Sequence, residues 1–551
     1  MKPITAEQAE AAATLVHRYG GIRKAARAVG IPFGTLHKQF SRSQRAAVGG
    51  RIRALARAEW KLPTKGKVAR YIFTCAQSNT RLFAPGWRNL RALAAHYDAR
   101  LCVSTFTYDK SAYGVASIKA GAKSGPKGEP WYDPAVQPFI LDESVIVAPG
   151  LIWCGEMNIL PTAERPLSGF EAYTGRKSGI FPHTKFAMES IASGKFEGTK
   201  FNYTTGTVTQ RNYIAKKEGL KADFHHGYGA LLVEVDHAGD WFCRQLNANS
   251  EGVIHDLTLR AKDGRVTDGH RLEGITWGDL HVGTIPPEIV EATWGAGGMM
   301  DVLKPRHQFM EDVLDFRSRN HHDRGDPHKN FQKYWDQRDN VFTELKEVAR
   351  FLGIRSYRPW CQTVVVDSNH DDALQRWLRE GDYRTDPLNA LFFLEAQLQV
   401  YRAIAAGKLT VLGGRKSGSE GFHLAEWAMR ELARRNTGLG AAMRKVRFLR
   451  PDESFILCHD ATGGIENGMH GHLGVNGSPA SLRSFAKMGR KSNTGHGHSA
   501  GIIDGAYRSG LMGDNDQGFN EGPGSWSRSH IATYATGKRA ILTAWGAKWK
   551  A

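Results

Sequence analysis

Cys-x-x-Cys pairs, long apolar runs and low-complexity segments are all missing from this 551-residue sequence. Its six cysteines are scattered without a Cys-x-x-Cys pair, which argues against a disulfide framework or a thiolate zinc site. No run of eighteen apolar residues occurs, and the first residues open into a charged helical pattern rather than an apolar signal core. We therefore expect a cytoplasmic protein with no membrane segment, in which any metal is held by His, Asp and Asn.

Acidic residues are in the minority, with 55 Asp and Glu against 74 Lys and Arg and a formal net charge of +19. Residues 1–70 contain fifteen basic and three acidic residues, so twelve of the nineteen excess positive charges lie in the first eighth of the chain. The positive electrostatic potential of such a protein attracts polyanions, nucleic acid above all. DNA is therefore the expected partner, and self-association into a homo-oligomer is left open.

The sequence pattern divides the chain into four segments. Residues 1–50 predict three short helices, the second of them over Ile22–Val29, and residues 21–40 resemble a helix-turn-helix; a small helical cap or an oligomerisation module is the alternative. Residues 51–66 form a basic linker. Residues 67–270 begin with a strand, a helix and a second strand, which predicts an α/β domain of unknown role. Residues 271–551 contain the candidate site, and Trp526–Trp549 at their end predict a closing hairpin of the same domain.

Five polar patches follow apolar, strand-like runs in this last segment. Ligands of open α/β sheets bind at the carboxyl ends of strands, so this placement favours a site. Asp, Asn and His without Cys suit Mn²⁺, Fe²⁺ or Zn²⁺, and a carboxylate shared by two ions activates water and neutralises charge on a phosphoryl oxygen. The patches are Asp279-Leu-His281, Asp315 at the end of an apolar run from Phe309, Asn369-His370-Asp371, His470-Gly-His472 and His496-Gly-His498.

In this order the five patches resemble the signatures of the calcineurin-like metallophosphoesterases, nuclease branch, over about residues 271–510. The resemblance implies an α/β fold: a β-sandwich flanked by helices, here preceded by the second α/β domain and the helix-turn-helix. The chain as a whole, including Arg70–Tyr108 and Gly463–Tyr507, also resembles the DNA-degrading pre-early proteins of virulent tailed phages and their prophage homologues. A phage origin would place it in the host cell cytoplasm.

Carried over to these positions, the resemblance implies two divalent ions, with Mn²⁺ favoured and Fe²⁺, Mg²⁺ or Zn²⁺ possible. Asp315 would bridge the two ions. The first ion would be held by Asp279, His281, Asp315 and His498, and the second by Asp315, Asn369, His470 and His496.

Two of these assignments have competitors. The second patch lacks the usual Gly before its Asp, so Asp312 competes with Asp315; we prefer Asp315 because it ends the apolar run. In the fourth patch, His472 competes with His470 as a ligand.

Four further residues are candidates for catalysis. His370 resembles the histidine that stabilises the transition state or protonates the leaving oxygen in this superfamily. His321 and His322 fall where nuclease members have an additional catalytic histidine, although a solvated loop is an equal alternative. Arg317 is expected to clamp a non-bridging phosphate oxygen, with a salt bridge to Asp312 or Asp323 as the alternative.

Together these features predict a two-metal-dependent deoxyribonuclease that hydrolyses phosphodiester bonds in DNA degradation. A phosphodiesterase or phosphatase acting on nucleotides or small phosphate esters is the first alternative. A non-enzymatic DNA-binding regulator with an inert phosphoesterase fold is the second.

Overall fold

A computed structural model describes residues 22–30, 32–37, 58–108, 130–195, 197–409, 421–435, 439–459, 463–518 and 520–551. The α-helices there are α1 (Ile22–Val29), α2 (Ala84–His96), α3 (Lys217–Phe224), α4 (Pro287–Trp294), α5 (Met299–Leu303), α6 (Pro327–Trp335), α7 (Val341–Arg350), α8 (Asn369–Glu380), α9 (Ala390–Ala405), α10 (Leu424–Arg435), α11 (Gly440–Met443) and α12 (Leu482–Phe485). The strands are β1 (Ala58–Glu59), β2 (Ala69–Gln77), β3 (Arg100–Phe106), β4 (Ser144–Ala148), β5 (Leu151–Cys154), β6 (Ser178–Phe181), β7 (Met188–Ile191), β8 (Lys200–Thr204), β9 (Gly229–Val235), β10 (Trp241–Asn247), β11 (Ile254–Asp256), β12 (Leu259–Lys262), β13 (Arg265–Thr267), β14 (Gly274–Thr276), β15 (His307–Met310), β16 (Gln362–Val365), β17 (Arg447–Phe448), β18 (Ile456–Leu457), β19 (Ile465–Glu466), β20 (Lys491–Thr494), β21 (Gly501–Ile503), β22 (Ala506–Arg508), β23 (Arg528–Thr533) and β24 (Arg539–Ala544).

The smaller of two compact units comprises residues 1–61 and 143–147. Its described part contains α1, a helical segment over residues 33–37, and the parallel pairing of β1 with β4. Helix α1 has the bounds that the sequence predicts. The predicted first helix and residues 51–57 of the basic linker lie outside the described residues, so the helix-turn-helix stays a prediction.

The larger unit comprises residues 62–142 and 148–551 and begins with a four-stranded sheet in the order β10-β9-β2-β3. Strands β2 and β3 are parallel and α2 connects them, which confirms the predicted strand–helix–strand unit. Leu90 and Leu93 of α2 pack with Ile72 and Val103 of the strands, so the helix buries one face of the sheet.

A six-stranded sheet in the order β17-β16-β15-β14-β23-β24 organises the candidate site. Strands β14 to β17 are parallel to one another. Strand β23 is antiparallel to β14, and β24 is antiparallel to β23. Successive side chains of a strand alternate between the two faces. Met310 and Val365 accordingly join the core formed with the helices, whereas Phe309 and Val364 pack with Leu457 of a second sheet. Burial on both faces explains why these strands are continuous apolar runs.

Within the larger unit, the second sheet has the order β5-β6-β8-β7-β21-β22-β20-β19-β18. Met188 of β7 pairs with Ile502 of β21, so residues 67–270 and 271–551 share one sheet. The boundary expected between residues 270 and 271 therefore lies inside a compact unit. None of the helices in the described ranges has the length and apolar character needed to span a bilayer.

Candidate metal centre

The candidate metal centre lies where polar residues that follow the strands of two sheets come together. Parallel strands β14, β15 and β16 end at one sheet edge, and Asp279, Asp312 and Asn369 follow these ends. His470 follows β19 and His498 follows β20, two parallel strands of the second sheet. The convergence of these five residues comes from loops far apart in sequence, as the five patches predict.

The first group consists of Asp279, His281, Asp312 and His498, whose potential ligand atoms all lie within 4.8 Å of one another. His498 Nε2 is 3.0 Å from Asp279 Oδ2 and 3.3 Å from His281 Nε2. His281 Nε2 is 3.8 Å from Asp312 Oδ2. All four side chains are buried. Two carboxylates and two imidazoles are a donor set that suits Mn²⁺, Fe²⁺ or Zn²⁺.

A second group surrounds the fully buried ring of His470. His470 Nε2 is 3.2 Å from Asp312 Oδ2 and 3.0 Å from Asn369 Oδ1. On the opposite side of the ring, Nδ1 is 3.3 Å from Glu311 Oε2. Asp312 Oδ2 therefore faces both groups, and Asp312 has the shared position that the sequence pattern assigns to Asp315.

Asp315 lies to one side of these groups. Its Oδ1 is 3.0 Å from His281 Nδ1 and 3.7 Å from His370 Nδ1, and its Oδ2 pairs with Arg317 Nε. With His281 and His370, Asp315 forms a third group that could hold a metal ion, so the assignment of Asp315 stays a prediction. For the position shared by the two groups above, the geometry favours Asp312. Strand β15 ends at Met310, so the apolar run continues beyond the strand and its last residue does not mark the strand end.

His370 and Arg317 are held beside this edge of the site. The Nδ1 atom of His370 lies 3.1 Å from the Asp315 carbonyl oxygen. Burial lowers the pKa of His370, but the carboxylates of Asp312 and Asp315 outweigh it and raise the pKa overall. Arg317 Nη2 donates to Gln517 Oε1 at 2.7 Å. Arg317 thus pairs with Asp315, and not with Asp312 or Asp323, the two partners of its alternative interpretation.

The other predicted histidines lie outside the groups that could hold a metal among the described residues. His321 Nε2 is 2.5 Å from Arg376 Nη1, and its ring lies against that of His322, which is exposed. The exposed ring of His496 is 5.2 Å from that of His470, centroid to centroid. The half-buried His472 and the buried His470 both line a cavity of about 580 Å³. Only His470 belongs to a metal-capable group of the described residues, which favours His470 of the two competing residues.

Buried acidic groups and imidazoles balance each other electrostatically. Burial, together with the charges of Asp279 and Asp312, raises the pKa of Glu311 to about 8. Burial would lower the pKa of His470, but Asp312 and Glu311 hold it well above its usual value. Burial would likewise raise the pKa of Asp312, but His470 and His370 hold it well below its usual value. Asp312 and the imidazole of His470 therefore stabilise each other's charged forms.

Several buried oxygen atoms in the centre have no hydrogen-bond donor in the protein and are suited to bind a cation. Asp279 Oδ1, Glu311 Oε1 and Asp312 Oδ1 are buried and accept no hydrogen bond within the protein. Buried polar atoms without partners are costly, so such a cluster calls for a ligand. Gly495 adjoins two of the same carboxylates: a Cβ there would lie 2.0 Å from Glu311 Oε2 and 2.2 Å from Asp279 Oδ1. The residues present thus fit divalent cations.

Glu311 is the site residue that sequence reasoning missed. It is completely buried and belongs to a metal-capable group with Asp279 and His470. A signal was present, because Glu311 stands directly before Asp312 where a Gly is expected. A charged residue inside an apolar, buried run is unusual unless it is paired or binds a metal.

Comparison with known proteins finds Protein A1 of Escherichia phage T5, which is 37% identical over 496 residues. The similarity covers 88% of this chain and 83% of the relative. It therefore extends well beyond the segment with the five patches. No family model matches the sequence, and no solved structure matches the fold.

Proposed function

We propose that this chain, which belongs to the family of Protein A1 of Escherichia phage T5, is a two-metal-dependent deoxyribonuclease of the metallophosphoesterase type that acts in DNA degradation. The observation that carries the proposal is the approach of Asp279, His281, Asp312 and His498 to within 4.8 Å, with His470 on the other side of Asp312.

The proposed ligand sets follow from these positions. Asp279, His281, Asp312 and His498 would hold the first ion, and Asp312, Asn369 and His470 the second. His496 is kept as a candidate ligand of the second ion, because its ring neighbours that of His470. Divalent cations bound here supply activation of water and neutralisation of charge on the phosphoryl oxygens. Mn²⁺ is the ion we expect.

Two side chains of the protein would act on the phosphodiester. The Nδ1 atom of His370 faces the Asp315 carbonyl oxygen, which leaves Nε2 to give a proton to the departing sugar oxygen. Its raised pKa keeps that proton available near neutral pH. Arg317 is oriented by Asp315 and Gln517 and would bind a non-bridging phosphate oxygen. His321 is a weaker candidate for an acid, because burial and Arg376 lower its pKa.

We propose DNA as the substrate because the chain has a large net positive charge. The net charge of +19 favours a polyanion over a small phosphate ester, and contacts to the phosphate backbone give affinity without sequence information. The enzyme is therefore expected to cut DNA without strong sequence preference.

Incubation of the purified chain with supercoiled and linear plasmid DNA in Mn²⁺ tests the proposal. Asp312→Asn and His498→Ala are expected to lower cleavage by more than about 100-fold, since even residues outside the ligand shell contribute 10–100-fold in metal sites. His237→Ala, which changes an exposed histidine, is the matched control and should cut DNA like the original chain.

The two alternatives give different results in the same assay. Hydrolysis of a chromogenic phosphodiester with intact plasmid would indicate an enzyme for small phosphate esters. Binding of DNA without cleavage in Mn²⁺ would indicate a regulator with an inert site. Undiminished cleavage by Asp312→Asn would exclude the proposed centre as the site of hydrolysis.

A further inference from the structure

The unexpected carboxylate of Glu311 lies behind the His470 ring, on the side away from the proposed second ion. Glu311 Oε2 is 3.3 Å from His470 Nδ1. His470 Nε2 points the other way, 3.2 Å from Asp312 Oδ2 and 3.0 Å from Asn369 Oδ1. The two ring nitrogens of His470 thus face different partners.

A neutral imidazole has one N–H and one lone pair, and the hydrogen bond at one nitrogen decides which form the other presents. If Nδ1 of His470 donates to Glu311, then Nε2 has the lone pair that a cation needs. Carboxylates behind metal-binding histidines fix the tautomer and the ring orientation in this way. No Lys or Arg forms an ion pair with Glu311 among the described residues, and the side-chain nitrogen that it faces is Nδ1 of His470.

We propose that Glu311 is a positioning residue that fixes the tautomer and orientation of His470 and thereby sets the affinity of the second ion. The inference rests on the proposed two-metal function and adds to it a residue that the family pattern does not contain. It predicts a selective effect, because three of the four ligands proposed for the first ion, Asp279, His281 and His498, make no side-chain hydrogen bond with Glu311 among the described residues.

Gly495 leaves open the space that the Glu311 carboxylate occupies. A Cβ at residue 495 would lie 2.0 Å from Glu311 Oε2, which is impossible without displacing the carboxylate. The Gly495 amide also donates to the His470 carbonyl oxygen at 2.7 Å. The backbone of residue 495 therefore holds His470 and, having no side chain, leaves room for the group that orients its ring.

A direct ligand role is the main competing explanation, since Glu311 Oε1 is buried and accepts no hydrogen bond. The two roles differ in what a glutamine can replace. An amide oxygen accepts the Nδ1–H of His470 as a carboxylate does, but it is a much poorer ligand for Mn²⁺. Glu311→Gln therefore separates orientation of His470 from direct coordination.

Mn²⁺ titration of the full chain by calorimetry, with electron paramagnetic resonance of the loaded protein, provides the test without measuring DNA cleavage. We expect two Mn²⁺ ions in the original chain. In Glu311→Leu the second ion should bind 10–100-fold more weakly and the first should be unchanged, so the spin-coupled signal of an ion pair gives way to that of a single ion. Glu311→Gln should stay within a few-fold of the original chain.

The matched control is Glu156→Leu, because Glu156 is a partly buried glutamate that accepts from the Tyr173 hydroxyl away from the site. Both Mn²⁺ affinities should be unchanged in it. Thermal melting checks folding, and Glu311→Met takes the place of Glu311→Leu if the latter does not melt cooperatively.

Three results would overturn the inference. Equal loss of the second ion in Glu311→Gln and Glu311→Leu would make Glu311 a ligand. Unchanged binding in both variants would make it a bystander and leave the proposed nuclease intact. Absence of Mn²⁺ binding in the original chain would instead contradict the proposed function itself.

Discussion

Three residues of the centre have an unusual backbone conformation. His281, Asp312 and His498 have φ values of +46°, +46° and +53°, in the left-handed region that non-glycine residues rarely adopt. Such conformations cost about 1–3 kcal/mol each and cluster at functional sites. The His281 amide donates to the Asp312 carbonyl oxygen at 2.7 Å, so two of these residues hold each other in place. Backbone strain here is the cost of turning three ligand side chains toward one point.

Gly495→Ala tests whether the site tolerates any side chain beside its carboxylates. The new Cβ would collide with Glu311 Oε2 and Asp279 Oδ1, so we expect destabilisation by about 1–3 kcal/mol and loss of Mn²⁺ binding. Urea unfolding and calorimetric Mn²⁺ titration measure the two effects. Gly489→Ala is the control, because its Cβ would meet nothing within 4 Å. Normal Mn²⁺ binding by Gly495→Ala would contradict the described packing.

Protons and Mn²⁺ should compete for His470. Asp312 and Glu311 raise its pKa well above the usual value despite burial, so the ring is protonated at neutral pH in the metal-free protein. It must lose that proton to become a ligand, and Mn²⁺ affinity should therefore fall as pH falls, about tenfold per pH unit for each proton displaced.

Calorimetry in buffers of different ionisation enthalpy counts the protons released on Mn²⁺ binding. His472→Ala is the control for this measurement. Burial and the neighbouring His470 lower the pKa of His472 to about 4, so this ring is already neutral and its removal should not change the proton count. Mn²⁺ affinity that does not vary between pH 6 and pH 8 would contradict the assignment of His470.

At the scale of strands and helices, the sequence predicts what depends on local pattern. The strand–helix–strand unit β2-α2-β3, the α1 bounds and the closing hairpin β23-β24 follow from hydrophobic periodicity and are confirmed. The end of β15 does not follow from it, because Val313 and Leu314 are buried in irregular backbone after Met310 and look like strand. That local ambiguity is why the sequence pattern favours Asp315 over Asp312.

Long-range pairing lies equally beyond the sequence pattern. No local feature of the sequence indicates that β7 pairs with β21, which follows it by more than three hundred residues. The sequence pattern therefore predicts separate domains on either side of residue 270. The position of Glu311 behind His470 depends on the same kind of contact, between loops of two different sheets. Residue types and their order predict the ligand chemistry, whereas the shared position needs tertiary structure.

The four-stranded sheet contains a buried ion network that should matter for stability. Arg244 of β10 is 2% exposed; its Nη1 donates to Glu234 Oε2 at 2.7 Å and its Nε to Asp256 Oδ1 at 2.8 Å. Arg244→Leu leaves two buried carboxylates without this partner, so we expect a loss of about 3–5 kcal/mol in the free energy of unfolding in urea. Arg384→Leu, which removes an exposed pair with Asp382, should leave stability unchanged. Equal stability of both variants would contradict the role of the network.

At the scale of the whole molecule, positive charge and the candidate centre occupy different parts of the sequence. Twelve of the nineteen net charges come from residues 1–70, whereas the proposed ligands lie between Asp279 and His498. Electrostatic attraction of DNA acts over about a Debye length and does not require the charges to touch the reacting phosphate. DNA capture and hydrolysis should therefore be separable by substitution.

The triple variant Arg42→Gln/Arg45→Gln/Arg51→Gln tests this separation in the full chain. For every arginine that no longer neutralises a phosphate, the slope of log affinity against log salt should become less negative by about 0.9, so the slope should change by up to about 3. The KM for plasmid DNA should rise while hydrolysis of a chromogenic phosphodiester stays constant, because the centre is untouched. The triple variant Lys217→Gln/Lys262→Gln/Arg265→Gln removes the same net charge from exposed positions elsewhere. An equal effect of the two triples would mean that total charge, rather than the basic segment, captures DNA.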